Sequence, residues 1–490
     1  MRIKNAPILV FIFILIHLSF LTCNEKKYAQ ANFRKGPYII YENNITEMTI
    51  LWQTDSSVSI SEIEWGTTPD YGNGPLSVPV YEDNQYKYRI SGLTPETIYY
   101  YRINVDGNYQ TGSFKTAPQS STQSVIFYAY GDTRTQPDKQ SEVLGSILNY
   151  INQSPDQKQT ILLHSGDWVS NGDQENDWDT EFFNRSYPNI LEAQKRLPIM
   201  GARGNHEGSA NLLKKYFPYS YVSNDGCYYS FDYGPAHITI IDDNIDRNPG
   251  TSQYNWILND ISNSPKPWKI VMLHQPAWGA GTHGNNITNQ MLTSNIFEIN
   301  KVVLVITGHD HIYAHCYKKP IHHITTGGGG APLYDINPNA PYYITAAKNY
   351  HFTKIEINSN LLCLTSIGTS GEIYDTFCMD NQAPGDIGNS LLLNKENGNI
   401  KLSWLPPGHV CLTTYYGIYK GTLPLISFDH TPITCFITET YFLDQYNTQN
   451  NYYLVVPNNN NAEGSYGKNS SGEERPQSSS PCLAQNSKTC

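Results

Sequence analysis

The chain has 490 residues, with 33 Lys plus Arg against 44 Asp plus Glu and a net charge of −11. At about 150 residues per domain, that length predicts roughly three domains. The composition, 39% hydrophobic, excludes a polytopic membrane protein and a wholly disordered chain, and the acid excess argues against binding to nucleic-acid backbones, which takes clustered Lys and Arg. Charged residues are only 16%, and 37 Tyr outnumber 16 Phe, a bias that points to β-rich extracytoplasmic modules.

Arg2 and Lys4 precede an apolar run from Ile8 to Leu21. The run falls short of the ~20 residues that span a bilayer, so residues 1–23 read as an export signal. Phe20-Leu21-Thr22-Cys23 resembles a bacterial lipoprotein processing site, which implies a secreted or membrane-anchored lipoprotein lipidated on Cys23. The other eight cysteines permit disulfides in an exported chain. Cys363 and Cys378 are one pair to consider; Cys411, Cys435 and Cys482 share the last segment, and the connectivity stays open.

Residues 24–36 are polar and read as a tether. From 37 to 118 the pattern is all-β: Met48, Ile50 and Trp52 alternate with polar neighbours, as do Ile63 and Trp65. Leu93-Thr94-Pro95-Glu96-Thr97-Ile98-Tyr99-Tyr100-Tyr101 is a turn entering a Tyr-rich strand and resembles a fibronectin type III sandwich. From 122 to 380 short apolar runs alternate with helical spacing, such as Val143, Ile147, Leu148 and Ile151. From 381 to 470 the β pattern returns around Leu391, Leu393, Ile400, Leu402 and Trp404, again similar to fibronectin type III; residues 471–490 read as a flexible tail.

In the middle segment polar clusters come directly after short apolar runs. They are Gly131-Asp132-Thr133-Arg134, Gly166-Asp167-Trp168-Val169-Ser170, Gly204-Asn205-His206-Glu207, His274-Gln275-Pro276 and Gly308-His309-Asp310-His311. In an α/β fold, ligands gather beyond the carboxyl ends of the strands, so these clusters predict one convergent site. Asp, Asn and His offer O and N donors that suit Fe, Zn or Mn. Two such ions can clamp a phosphate and activate water. Gly327 to Gly330 match neither GxxxxGK[ST] nor GxGxxG, which speaks against a nucleotide loop; they read as a tight backbone approach near the sheet edge.

In this order and spacing the five clusters resemble the calcineurin-like metallophosphoesterases. The β-domain in front, with Gly308-His309-x-His311-x-Tyr313, is similar to the purple acid phosphatase branch. The resemblance implies an α/β fold: a central β-sandwich flanked by helices (α/β/β/α), between the two all-β sandwiches. It implies a centre of two divalent or trivalent metal ions. Asp167 would bridge them, Asn205, His274 and His309 would hold the second ion, and Asp132 and His311 the first. His206 would protonate the leaving group, oriented by Glu207. A metal-bound hydroxide would attack a phosphate monoester.

Two positions depart from the family. Arg134 stands where many members place a His, and Ser170 where purple enzymes carry the tyrosine that colours ferric iron. No tyrosinate colour is expected, and the first ion lacks a ligand; His164, Asn171 and Asp173 are the nearby donors. Arg134 would contact substrate phosphate or pair with a ligand carboxylate. His283 resembles a substrate-facing loop His, while His315 receives no role. Two alternatives stay open: a phosphodiesterase or nucleotide hydrolase on the same site, and a surface binding or adhesion protein with a decayed hydrolase core.

Overall fold

The computed structural model describes residues 32–318, 320–358, 360–380, 384–407, 413, 415–424, 428–446, 448–459 and 462–485. The export signal, Cys23, residues 24–31, Cys411, Cys490 and the last residues of the expected tail lie outside them.

The first strand begins at Phe33, inside the segment expected to be a tether. Two four-stranded antiparallel sheets follow. One orders Phe33–Ile40, Met48–Thr54, Gln85–Ile90 and Val80–Glu82; the other orders Asn73–Ser77, Ser61–Gly66, Ile98–Val105 and Asn108–Lys115. Strict alternation explains the Tyr-rich strand: Tyr99, Tyr101, Ile103 and Val105 turn inward and their neighbours face out. The inward set meets Trp52, Ile50 and Ile63 in one apolar core.

This sandwich is locked to the rest of the chain. Tyr38 packs its ring 4.9 Å from Phe183 and 5.6 Å from Phe217 and donates its hydroxyl to the Tyr216 carbonyl at 2.8 Å. Beside it Lys35, wholly buried, satisfies its ammonium with Gln53 Oε1 at 2.9 Å, Glu175 at 3.1 Å and Asp179 at 2.5 Å. A buried cation is tolerated only when its donors are met this way.

The central unit is two stacked sheets. The six-stranded one orders Ile199–Gly201, Ile161–His164, Ser124–Tyr130, His351–Asn358, Leu361–Gly368 and Ile373–Asp380, and its first three strands are parallel. The seven-stranded one carries the parallel run Ala236–Ile240, Trp268–Met272, Val302–Thr307 and Ile321–Thr326. Phe127, Ile355 and Ile357 share one core with Ile238, Ile270 and Leu304 between the sheets. Helix Ser252–Asn263 covers the far face of the seven-stranded sheet through Ile257 and Ile261, against Val271 and Val305. Helix Pro137–Asn152 buries Val143, Leu144, Ile147 and Ile151 on the other side. The layers are helix, sheet, sheet, helix, and the parallel strands deliver their carboxyl ends to one edge.

Two three-stranded antiparallel sheets close the chain: Leu392–Glu396, Asn399–Ser403 and Tyr441–Gln445, and Thr431–Ile437, Tyr415–Thr422 and Asn451–Asn458. Leu402, Trp404, Tyr416, Ile418 and Val455 form their core. Disulfides join Cys363 to Cys378 and Cys435 to Cys482, while Cys227 and Cys316 are buried thiols. Residues 471–485 depart from the expected free tail. Glu474 accepts from Ser465 Oγ at 2.8 Å and Tyr466 N at 2.7 Å, Ser478 donates to the His430 carbonyl at 2.8 Å, and Cys482 is covalently tied. Polar satisfaction and a crosslink fix a segment that has no apolar core of its own.

Candidate metal centre

Each cluster follows a central strand. Asp132 follows Ser124–Tyr130, Asp167 follows Ile161–His164, Asn205 opens a short turn after Ile199–Gly201, His274 follows Trp268–Met272 and His309 follows Val302–Thr307. Three of these residues sit in the left-handed region: Asp132 at φ 57°, Asp167 at 54° and His309 at 69°. That conformation costs roughly 1–2 kcal/mol at each non-glycine residue, and such strain collects at functional sites where the surroundings over-determine it. Here Asp132 N donates to the Gly166 carbonyl at 2.9 Å, Thr133 N to the Asp167 carbonyl at 3.0 Å, and His309 N to both Asp132 carboxylate oxygens at 3.0 Å. Gly308 must be glycine, because a Cβ there would strike the Asp132 carboxylate.

The ligand-type atoms converge. His274 Nε2 lies 3.1 Å from Asn205 Oδ1, 3.2 Å from Asp167 Oδ1 and 3.2 Å from His309 Nδ1. His274 Nδ1 is committed to the Ser165 carbonyl at 2.9 Å, which leaves Nε2 for the cluster. Donors sharing one ion at bonds of ~2.0–2.2 Å stand roughly 3–3.5 Å apart, so these four atoms fit a common cation. One proton on His274 can satisfy only one of its three neighbours, and the remaining lone pairs face one another. The second group is Asp132, Asp167 and His311, and Asp167 belongs to both. His311 donates Nδ1 to the Pro332 carbonyl at 2.7 Å and turns Nε2 inward, 3.6 Å from Asp132 Oδ1.

The electrostatics suit a cation as well. Burial pushes the His309 imidazole down to about 3 and His311 down to about 4, so both offer lone pairs at neutral pH. Burial also raises the Asp132 carboxyl. It opposes ionisation of Asp167 too, but the adjoining His274 imidazole outweighs it and holds that carboxyl below its usual range. His274 is raised in turn, burial being overcome by Asp167, Asp132 and Asp243. Asp167 and His274 thus stand as a charge pair at the middle of the cluster.

Around this cluster stand the other predicted residues. His206 is part-buried; its Nδ1 donates to the Ser170 carbonyl at 2.7 Å, and its free Nε2 lies 3.8 Å from Asp167 Oδ2. Glu207 does not orient it. That carboxylate is fully buried and turns the other way, accepting from Asp167 N at 3.1 Å, Trp168 N at 2.8 Å and Gly204 N at 2.6 Å. Burial pushes it up to about 7. Arg134 points into the second group, with Nη2 3.4 Å from His311 Nε2 and Nε 3.6 Å from Asp167 Oδ2. His283 is more than one-third exposed and hangs on Asp310, whose Oδ1 takes its N at 3.1 Å and its Nδ1 at 3.2 Å; its ring lies 4.0 Å from that of His309.

None of the three donors considered for the missing ligand supplies it. His164 stacks 3.8 Å from Trp168 and spends both nitrogens, on Thr133 Oγ1 and Gly166 N. Asp173 caps Ser209, and Asn171 caps Asp173. Ser170 is engaged by Glu181 through both its N and Oγ at 2.7 Å. The glycine run lies at the site and not at a sheet edge: Gly329 N donates to the Gly131 carbonyl at 2.9 Å and Ala331 N to the Asp132 carbonyl at 2.8 Å. It brings Tyr334 onto the His311 ring at 4.0 Å and 19°. The sequence carried no signal for Tyr334, for Asp310 as the anchor of the His283 loop, or for Glu181.

Residues 127–313 match the Calcineurin-like phosphoesterase family, and residues 35–136 match the Purple acid Phosphatase, N-terminal domain. Purple acid phosphatase 18 of Arabidopsis thaliana is 27% identical over 317 residues, covering 58% of this chain and 68% of that protein. Acid phosphatase type 7 of Homo sapiens is 23% identical over 346 residues, covering 63% and 76%. Among solved structures, purple acid phosphatase PPD1 from yellow lupin superposes with a TM-score of 0.59 at 20% identity, covering 71% of this chain and 74% of that one. Residues 127–313 are thus a calcineurin-like phosphoesterase domain, and a purple acid phosphatase N-terminal domain precedes it. The chain is a purple acid phosphatase-like metallophosphoesterase.

Proposed function

We propose that the chain is an exported phosphatase that hydrolyses small phosphate monoesters at a centre of two metal ions. The observation that carries the reading is the pair of ligand groups sharing Asp167. Asp167, Asn205, His274 and His309 would hold one ion; Asp167, Asp132 and His311 would hold the other. The O and N donor set suits Fe, Zn or Mn. Bound ions supply positive charge for phosphate oxygens and lower the pKa of water.

The chain's own groups do the rest. His206, held through Nδ1 by the Ser170 carbonyl, presents Nε2 as the proton donor to the departing alkoxide. Arg134, beside His311, and His283, beside His309, would meet the phosphate oxygens, the guanidinium through paired donors. Tyr334 stacks on the His311 ring and holds its orientation. Export is supported by the Arg2, Lys4 and Ile8–Leu21 pattern and by the two disulfides, which suit an oxidising compartment. Lipidation of Cys23 is the membrane-anchored form of this proposal. Among the described residues no helix is long and apolar enough to cross a membrane.

The test compares para-nitrophenyl phosphate with its bis-ester on the mature chain. Preference for the monoester supports the reading. Preference for the diester makes the protein a phosphodiesterase on the same residues.

A further inference from the structure

We infer that the two halves of the centre are unequal, because the Arg134 guanidinium competes with a metal ion for the Asp132–Asp167–His311 position. The chain would bind one ion tightly at Asp167, Asn205, His274 and His309, and a second far more weakly. The inference rests on the phosphoesterase reading above and concerns this chain's departure from it.

The argument is geometric. His311 has one nitrogen left, since Nδ1 is bonded to the Pro332 carbonyl. Arg134 Nη2 stands 3.4 Å from that remaining nitrogen. The same guanidinium places Nε 3.6 Å from Asp167 Oδ2, the carboxylate oxygen turned away from His274 Nε2. Arg134 therefore covers two of the three side chains that this position offers. It is largely buried, and its Nε has no hydrogen-bond partner, so the guanidinium is held there by charge and packing. It also cannot lose its charge.

None of the donors considered above completes the position. Ser170 and His164 spend their polar atoms elsewhere, as described above. The other group shows the contrast: four donor atoms and, among the described residues, no Lys or Arg contact with any of the four. An ion entering beside Arg134 meets a fixed positive charge in a partly desolvated site, where like charges ~4 Å apart repel strongly, and the second dissociation constant should exceed the first by at least ~100-fold. A bound phosphate would give the displaced guanidinium a partner, which ties filling of this position to substrate.

The experiment titrates the metal-free full chain with Mn²⁺ and with Zn²⁺ by calorimetry, and counts ions retained after desalting. The parent should retain one ion per chain, with a second seen only as a weak phase. Arg134→Gln, which removes the charge and adds no ligand, should tighten the weak phase at least tenfold; Arg134→His should retain two ions. Two equally tight ions in the parent, or no change in the weak phase in either variant, would overturn the inference while leaving the phosphoesterase reading intact. Failure of every form to bind any ion would overturn both.

Discussion

Glu207 offers the sharpest separation between two roles. Its carboxylate is fully buried and accepts from the backbone N–H groups of Asp167, Trp168 and Gly204. Glu207→Ala leaves three buried donors without partners, each costing ~1–3 kcal/mol. Partial relaxation brings the expected total to about 3–5 kcal/mol. At roughly 2–4 °C per kcal/mol for a domain of this size, the melting temperature should fall by roughly 6–20 °C. The same bonds fix Asp167 in its left-handed conformation, so ion affinity should fall too. Glu207→Gln keeps one acceptor and should lose less of both. Thermal unfolding by circular dichroism on metal-free protein reads the first effect, and calorimetric metal titration the second. If Glu207→Ala melts with the parent and loses only turnover, the carboxylate acts on His206 and the structural assignment is wrong.

Two further outcomes follow from named contacts. His237 is clamped between Asp232 at 2.8 Å and Asp260 at 3.0 Å; burial disfavours its charge, but the two carboxylates win and raise it to about 9. A raised histidine stabilises fully below its ordinary value near 6.5 and loses the contribution as pH climbs to about 9. At ~1.4 kcal/mol per pH unit this amounts to ~3 kcal/mol. Urea unfolding of the parent should show that loss between pH 6.5 and 9, and His237→Gln should flatten it; parallel pH profiles would refute the assignment. His206→Ala should cut kcat by ~10²–10⁴ on an alkyl phosphate, the scale of general-acid catalysis, and by much less on para-nitrophenyl phosphate, whose leaving group needs no proton. Equal losses on both substrates would remove the proton-donor role.

What the sequence made legible was local. An apolar run followed by Gly-Asp, Asn-His or Gly-His marks the end of a buried strand and a donor beyond it, and Asp132, Asp167, Asn205, His274, His309 and His311 do gather at one edge. The alternation around Tyr99 and Tyr101 was legible for the same reason, since a strand repeats every two residues. What escaped depends on direction or on distant partners. Glu207 adjoins His206 in the chain, yet its side chain turns back onto Gly204 and Asp167. The glycine run reads as an edge because nothing in its sequence names Gly131 and Asp132 as its neighbours. The stretch 471–485 is mostly polar, and its anchors are Glu474 and Cys482, whose partners lie up to 47 residues away.

The central claim is that Asp167 is shared by two ions that carry out phosphate-ester hydrolysis. Asp167→Ala in the mature chain, measured for bound metal by mass spectrometry and for turnover of para-nitrophenyl phosphate in one preparation, tests it most directly. The account predicts an active parent with bound metal, and a folded variant that loses metal and hydrolysis together. Full hydrolysis by the metal-free variant would contradict it.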